Sequence, residues 1–369
     1  MKRARDLGIP FDGIPGTYNA ISDIEGVMVG YSTLISGEGK LEIGKGPVRT
    51  GVTVILPRGS TYNPVFAGIY SQNGNGEMTG AAWVDESGFL ETPIALTNTH
   101  SVGVVRDALV AWIYENKYFD PAIVNHFWTL PVVAETYDGR LNDIMGFHVK
   151  PEHVFSALKH AASGILAEGC VGGGTGMICH GFKGGTGTAS RRISIEGTHY
   201  TIGALVQTNY GSRESLKIGG VPVGKEIPDL LPEFHYPPLH GERSGSIIVI
   251  IATDAPLIGK QLTRLAKRVP MGIARLGGVS ANSSGDIFLA FSTANPGAAR
   301  RTGIAEVRML PNDLMTPLFE ATIQATEEAI VNCLVSAQTT TGINHNIAYA
   351  LPHARLMQVL ENHRALERK

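Results

Sequence analysis

The apolar positions of this 369-residue chain fall into short β-type runs and a few stretches with helical spacing. The β-type runs predict strands at residues 27–31, 51–56, 65–70, 94–97, 132–135, 200–207, 246–253 and 287–291. Helical spacing predicts helices at residues 102–116, 152–162, 256–268 and 319–335. Strands and helices are grouped instead of alternating strictly, which favours a layered α+β sandwich over a doubly wound sheet.

The predicted helix at residues 319–335 is the longest and has a charged face. Its spacing places Glu320, Glu327 and Glu328 on the solvent side. Ile323, Ile330 and Leu334 are expected to face the core.

The junction between Gly245 and Ser246 is the most informative feature of the chain. It ends the Pro-rich connector at residues 229–245 and begins the most apolar run, which is typical of a strand buried on both faces. Gly245 permits unusual backbone angles, and a hydroxyl beside such a peptide can attack its carbonyl. An N-to-O acyl shift and hydrolysis would leave Ser246 as a new N-terminus whose amine acts as base. The alternative interpretation is an ordinary turn before a strand.

A second polar cluster precedes the predicted strand at residues 287–291, as the Gly-Ser pair precedes residue 247. It reads Ser-Ala-Asn-Ser-Ser-Gly-Asp at residues 280–286. If the two strand ends converge, Ser284 would exchange a hydrogen bond with Ser246, and Asp286 would fix the nearby amine. A simple polar turn is the alternative.

Two further strand ends carry groups suited to binding a substrate. Glu135 and Tyr137 would point to one face while strand geometry persists, and could hold an ammonium and an oxyanion. Asn209 ends the run at residues 200–207 and could donate to an oxyanion. A surface loop and a turn cap are the respective alternatives.

The glycine-rich segments at residues 172–176 and 181–187 do not fit a phosphate-binding loop. Lys183 precedes the Gly pair instead of following the last Gly, so a wide turn or hairpin at a pocket wall is the preferred interpretation. The histidines lack metal-ligand spacing and the three cysteines lack Cys-x-x-Cys spacing. The sequence therefore predicts neither a metal nor another cofactor.

Composition and charge restrict the class of protein. Hydrophobic residues at 43% and charged residues at 17% indicate a core-rich globular protein, and scattered Gly and Pro favour a single loop-rich body. The formal net charge of −2, without runs of one sign, argues against nucleic acid and membrane partners. The basic N-terminus is not followed by an apolar signal core, so a cytoplasmic protein is expected.

Taken in order, these segments resemble the DmpA/BapA family of self-cleaving aminopeptidases over nearly the whole chain. The matching segments are residues 19–30, 91–94, 97–103, 133–139 (Val-Ala-Glu-Thr-Tyr-Asp-Gly), 206–211 (Val-Gln-Thr-Asn-Tyr-Gly), 245–249 (Gly-Ser-Ile-Ile-Val) and 283–288 (Ser-Ser-Gly-Asp-Ile-Phe). The family comprises L-aminopeptidase D-amidase/D-esterases and β-peptidyl aminopeptidases.

The resemblance implies a four-layer αββα sandwich similar to N-terminal-nucleophile hydrolases but differently connected. It implies one domain, residues 1–369, cleaved into chains 1–245 and 246–369, with Ser246 as nucleophile and no metal. Ser284 and Asp286 would support the nucleophile and its amine, with a carboxylate, Asp or Glu, expected at the last position.

The remaining roles also come from the resemblance. Asn209 and Tyr137 would line the oxyanion side, and Glu135 would bind the free amino group of a small peptide, amide or ester. A homo-oligomer of cleaved heterodimers is implied. Two alternatives remain open: a self-processing acyltransferase of the ornithine-acetyltransferase kind, and a non-enzymatic nucleotide-binding module built on the glycine-rich loops.

Overall fold

Two β-sheets lie face to face in the computed structural model, which describes residues 2–235 and 245–366. The strands are β1 (Met28–Ser36), β2 (Val48–Ser60), β3 (Val65–Ser71), β4 (Phe89–Leu90), β5 (Ile94–Asn98), β6 (Val132–Thr136), β7 (Ile178–Cys179), β8 (Phe182–Lys183), β9 (Gly185–Ile195), β10 (Thr198–Asn209), β11 (Ser246–Thr253), β12 (Gly285–Ser292), β13 (Thr340–Thr341) and β14 (Ile347–Ala348). The helices are α1 (Ala81–Ser87), α2 (Val102–Glu115), α3 (Pro151–Lys159), α4 (Val223–Glu226), α5 (Gly259–Ala266), α6 (Val269–Arg275), α7 (Thr316–Ser336) and α8 (His353–Asn362).

The strand order places β11 in the middle of the larger sheet. The four-stranded sheet has the order β1-β2-β5-β6, and the six-stranded sheet has the order β4-β3-β12-β11-β10-β9. Strand β11 is antiparallel to β10 and parallel to β12, so Ser246 lies opposite Asn209 on one side and Gly285 on the other. This register brings together three of the polar strand ends that the sequence singled out.

Three apolar cores separate four layers. Ile248 and Ile250 of β11 pack in the core between the sheets, whereas Ile247 and Val249 pack against α5, α6 and α7 on the outer face. Helices α2 and α3 cover the outer face of the smaller sheet. Each of these isoleucines contributes about 1.5–3 kcal/mol by burial, so β11 is a rigid base for the residue at its start.

The predicted αββα sandwich is therefore confirmed. All eight predicted strands are present, and the four predicted helices correspond to α2, α3, α5 and α7. Strand β9 was not predicted, because its glycines weaken the β pattern. The single-domain assignment and its division at residue 245 stay predictions.

The glycine-rich segments form the predicted turn and hairpin, in which backbone approaches backbone, and this packing corrects the nucleotide-binding alternative. Residues 172–174 form a buried turn between the sheets, where a Cβ at Gly173 would lie 2.7 Å from the Leu96 carbonyl oxygen. Gly185 and Gly187 lie within β9, and a Cβ at Gly187 would lie 2.0 Å from the Ala329 carbonyl oxygen of α7. Backbone from another layer fills the space that a phosphate would need.

The prediction that Glu328 faces solvent was wrong. The Glu328 side chain is fully buried and accepts hydrogen bonds from Arg191 (Nη2 to Oε2, 2.7 Å) and from Arg5 (Nε to Oε1, 2.9 Å). Arg191 is itself fully buried, and burial lowers the pKa of its guanidinium while Glu328 raises it. Helical spacing could not show this, because the two arginines come from distant parts of the chain.

No helix among the described residues is both long and apolar enough to cross a membrane.

We predict that Glu328→Ala destabilises the fold by about 3–5 kcal/mol, because it leaves the Arg191 guanidinium buried without its carboxylate. Urea denaturation of both proteins measures the change in the free energy of unfolding. The control is Glu320→Ala on the exposed side of α7, for which a change within about 0.5 kcal/mol is expected. Similar small decreases in the free energy of unfolding of both variants would show that the buried Arg191 guanidinium does not need the Glu328 carboxylate.

Candidate active site

Ser246 is held at the edge of the buried β11 strand. Its side chain is 7% exposed, and the residues that follow it in β11 are all buried. Only glycine fits before it, because a Cβ at position 245 would lie 2.7 Å from the Asn209 carbonyl oxygen and 2.8 Å from the Tyr210 Cα. The peptide between Gly245 and Ser246 is therefore enclosed by the neighbouring strand end.

The backbone amide of Gly285 lies at the centre of this junction. Its N–H donates to the Gly245 carbonyl oxygen (3.2 Å) and also lies 3.3 Å from the Ser246 hydroxyl oxygen. The same donor thus contacts both the candidate nucleophile and the carbonyl that it would attack. Sequence reasoning missed Gly285, whose only signal is its place between Ser284 and Asp286 at a strand start.

Ser284 and Asp286 form a close pair next to Gly285. The Ser284 hydroxyl donates to Asp286 Oδ1 at 2.5 Å, and Asp286 is 2% exposed. Burial raises the pKa of the Asp286 carboxyl, whereas hydrogen bonds from Ser284, Ser280, the Ile247 amide and Asn73 lower it. The short Asp side chain therefore reaches its serine directly.

The Gly285 N–H contacts the Ser246 hydroxyl, whereas the Ser284 hydroxyl donates to Asp286 and not to Ser246. Along β12, Asp286 shares the face of Phe288, which packs toward the helices, while Ser246 shares the face of Ile248 between the sheets. The Ser284–Asp286 pair and the Ser246 hydroxyl consequently approach the start of β11 from opposite faces.

Glu135 is the buried carboxylate at the end of β6. It is 4% exposed, and it accepts hydrogen bonds from the Thr99 hydroxyl and from the Glu77 backbone amide (3.1 Å to Oε1). Burial raises the pKa of the Glu135 carboxyl, and these two donors oppose that effect. A partner cation would be a favourable third contact for this carboxylate.

Gly76 separates Glu135 from the nucleophile. A Cβ at Gly76 would lie 3.2 Å from Glu135 Oε1 and 3.1 Å from the Gly285 Cα. The predicted amine-binding carboxylate and the Gly285 amide therefore face each other across one glycine backbone.

Asn209 and Tyr137 meet through the tyrosine backbone. The Asn209 amide donates to the Tyr137 carbonyl oxygen (2.9 Å) and accepts from the Ile178 backbone N–H (2.9 Å). These two bonds fix the orientation of the Asn209 amide, with its nitrogen toward Tyr137 and its oxygen toward Ile178. Strand β6 ends at Thr136, so the predicted common face of Glu135 and Tyr137 does not persist. The Tyr137 ring is 43% exposed, and its hydroxyl lies over Gly139.

The loop after β3 was missed by sequence reasoning. Asn73 Nδ2 donates to the Ala281 carbonyl oxygen at 3.0 Å and lies 3.5 Å from Asp286 Oδ2, and Asn75 Nδ2 donates to the Ser283 carbonyl oxygen at 2.7 Å. This loop, residues 72–77, thus fixes the turn that carries Ser284 and also donates to Glu135. Its Asn and Gly residues indicate only a turn in the sequence.

Asp138 is a third buried carboxyl group, next to the site. It is fully buried next to Thr50, Asn98 and Asn142, and burial raises its pKa to about 7 despite hydrogen bonds to these three residues. Asp138 Oδ2 and Asn98 Oδ1 are buried oxygens without a hydrogen-bond donor among the described residues. Because Asp138 follows Tyr137, this cluster supports the backbone that holds Asn209.

Within residues 2–235 and 245–366, no group of three or more His, Cys, Asp or Glu side chains is placed to hold a metal ion.

A serine at the start of a buried central strand, preceded by an enclosed glycine peptide, defines the site of an N-terminal-nucleophile hydrolase. The comparisons agree with this class. The model of peptidase family S58 matches residues 19–348, and the chain therefore belongs to that family. It is a serine aminopeptidase of the N-terminal-nucleophile hydrolase type, and the resemblance inferred from the sequence is confirmed.

Three relatives illustrate the extent of the similarity. The β-peptidyl aminopeptidase BapA of Sphingosinicella microcystinivorans is 54% identical, over 99% of this chain and 93% of its own. The L-aminopeptidase D-Ala-esterase/amidase of Ochrobactrum anthropi, described as a new variant of the Ntn hydrolase fold, superposes with a TM-score of 0.91 at 44% identity, covering 100% of both chains. A Burkholderia β-aminopeptidase gives 0.87 at 48% identity, over 98% and 99% of the two chains.

We predict that Asp138→Asn changes how stability depends on pH. Burial raises the pKa of the native carboxyl to about 7, against an ordinary value of 3.8, so folding favours the protonated form. The free energy of unfolding of the unmutated protein should fall as pH rises from about 4 to 7, while the Asn variant lacks this contribution. At about 1.4 kcal/mol per pKa unit, the free energy of unfolding of the variant should rise by a few kcal/mol relative to that of the unmutated protein as the pH increases across that range.

Urea denaturation of both proteins at several pH values between 4 and 8 measures this difference. The exposed Asp85→Asn serves as the control for loss of one carboxylate. A difference between the Asp138 variant and the unmutated protein that stays constant over the range would contradict the assignment.

Proposed function

We propose that the chain cleaves itself between Gly245 and Ser246 and then removes N-terminal residues from short peptides, amides or esters. The observation that carries this proposal is the Gly285 N–H, which donates to the Gly245 carbonyl oxygen while it touches the Ser246 hydroxyl. Family membership supports the same assignment.

The self-cleavage step would be an N-to-O acyl shift. The Ser246 hydroxyl oxygen bonds to the Gly245 carbonyl carbon as the carbon–nitrogen bond breaks, and the hydroxyl proton passes to the Ser246 nitrogen. Water then hydrolyses the ester, releasing the Gly245 carboxylate and restoring the hydroxyl. The Gly285 N–H is oriented to stabilise the negative charge that develops on the carbonyl oxygen.

Turnover would use the amine that cleavage creates. A free α-amine has a pKa near 7.7–8.0, which suits it to accept the Ser246 hydroxyl proton and pass it to the leaving amine. The Asp286 carboxylate accepts a hydrogen bond from the backbone N–H of Ile247, the residue after Ser246, and Ser284 and Asp286 would orient the new amine. Asn209 and the Gly285 N–H would stabilise the oxyanion of the substrate carbonyl, and the Tyr137 backbone would hold Asn209 in place.

Glu135 would select substrates that have a free amino group. The Glu135 carboxylate is buried and already accepts two hydrogen bonds. A substrate ammonium would supply the opposite charge and so offset the cost of burying the ionised carboxylate. Requiring that ammonium restricts cleavage to the first residue, which makes the enzyme an exopeptidase.

The relatives support a more specific substrate class. Two proteins at 54% and 46% identity are named β-peptidyl aminopeptidases, and we propose that β-amino acid residues are accepted at the N-terminus of the substrate. We also propose that the cleaved heterodimers assemble into a homo-oligomer.

We predict that Ser246→Ala remains one chain, because no hydroxyl is left to attack the Gly245 carbonyl. Intact mass spectrometry of purified protein should show fragments 1–245 and 246–369 for the unmutated protein and a single species for the variant. Ser246→Cys retains a nucleophile and should still give fragments. An active unmutated protein that stays in one piece would exclude self-cleavage as a requirement.

We predict that Glu135→Gln impairs recognition of the free amine more than it impairs self-cleavage. Loss of a charge-assisted hydrogen bond costs about 1.5–3 kcal/mol, which at about 1.4 kcal/mol per tenfold lowers kcat/KM roughly 10- to 150-fold. Self-cleavage should continue, because the peptide nitrogen of Gly245 carries no charge.

The measurement compares an aminoacyl p-nitroanilide with its N-acetylated form for both proteins. Glu86→Gln is the matched control, because Glu86 is an exposed glutamate of α1, and it should change neither substrate's kcat/KM. Equal losses on both substrates, or arrested self-cleavage, would show that Glu135 supports the fold instead of binding the amine.

A further inference from the structure

A cavity of about 260 Å³ adjoins the junction on the helix side of the six-stranded sheet. Its lining includes Gly245, Ser284 and Asp286 next to the junction, the buried Tyr210, and Val279 and Ser280. Two of its lining residues show that the cavity lies on this side. Tyr210 packs in the core beneath the helices, and Asp286 shares a strand face with Phe288, which packs in the same core.

The cavity and the amine-binding carboxylate lie on different sides of the nucleophile. Glu135 is bound by Thr99 and the Glu77 amide, and neither residue lines the cavity. Gly76 separates Glu135 from Gly285, whereas the cavity begins beyond Gly285, at Ser284 and Asp286. Because Ser246 shares the face of Ile248 between the sheets and the cavity lies on the helix side, the second residue of such a substrate would pass the start of β11, where Gly245 lies, to reach the cavity.

The chemistry of acyl transfer requires the same direction. As the Ser246 hydroxyl oxygen bonds to the substrate carbonyl carbon, the carbon–nitrogen bond breaks and the leaving nitrogen takes up a proton. The donor of that proton, the Ser246 amine, must lie about 2.6–3.2 Å from the leaving nitrogen. In the uncleaved chain, Gly245 lies next to the Ser246 nitrogen, and Gly245 also lines the cavity.

We propose that this cavity is the binding site for the leaving group, the second residue of a peptide substrate. The inference rests on the proposed function, since it requires Ser246 to form an acyl-enzyme. Cleavage frees the end of the chain at Gly245 and gives the leaving group access to the cavity.

The lining of the cavity defines the class of leaving group. Its volume is below the range of about 300–1,000 Å³ that is usual for ligand pockets, so it suits one residue. The lining includes the uncharged side chains of Ser212, Ser215, Ser280, Val279 and Ala281. Among the described residues, Asp286 is the only charged residue of the lining. The site therefore favours small uncharged second residues, and it disfavours acidic ones because of the carboxylate of Asp286.

The experiment uses substrates that share one N-terminal residue and differ only in the leaving group. These groups are ammonia, Gly, Leu, Asn and Asp. All five substrates form the same acyl-enzyme, so a difference between them in kcat/KM arises at or before release of the leaving group. The unmutated enzyme should cleave the Asn substrate several-fold better than the isosteric Asp substrate.

Val279→Trp provides the decisive comparison, because Val279 is 71% exposed at the rim of the cavity and its replacement does not disturb the core. We predict a loss of at least tenfold in kcat/KM for the Leu substrate and a change within about twofold for the ammonia substrate. Val279→Ala should leave the Leu substrate at the unmutated value or above it. Ile304→Trp, on an exposed site outside the lining, should leave all five values unchanged.

Equal losses by Val279→Trp on all five substrates, or no loss on any, would overturn the assignment of this cavity. If the unmutated protein hydrolysed none of the five substrates, the proposed function itself would be overturned.

Discussion

The register of three strands around the start of β11 is the constraint on which the site depends. Strand β11 is buried on both faces, so it cannot shift by one residue without turning Ile248 and Ile250 out of the core between the sheets. The same register fixes Ser246 opposite Asn209 and Gly285. The apolar cores therefore position the polar groups at the start of β11.

Burial of carboxyl groups is the second physical feature of the site. Glu135, Asp138 and Asp286 are each almost fully removed from water, and burial is the largest influence on the pKa of all three. Hydrogen-bond donors oppose this effect to different extents, because Asp286 receives several donors and Asp138 retains an oxygen without one. Three carboxyl groups of similar sequence context thus acquire different chemistry from their surroundings.

The loop at residues 72–77 connects the two halves of the site. It donates a backbone hydrogen bond to Glu135 and side-chain hydrogen bonds to the turn that carries Ser284 and Asp286. Gly76 occupies the narrow space between these halves. The close approach of Glu135 to Gly285 accordingly requires a glycine at position 76.

The sequence by itself determined the eight principal strands, the layered class and the polar residues at strand ends. It could do so because a strand buried on both faces leaves a continuous apolar run, and a change to polar residues marks its end. Ser246, Asn209 and Asp286 were all found in this way.

Only the tertiary structure decided which of these ends meet and from which face. The role of the Gly285 amide depends on a parallel pairing of strands that lie 39 residues apart, and backbone amides leave no signal in a sequence. The same limit explains Glu328, whose burial depends on Arg5 and Arg191 from distant segments. Periodicity reports which side of an element is apolar, whereas charge pairing and backbone donors across elements exist only once the chain has folded.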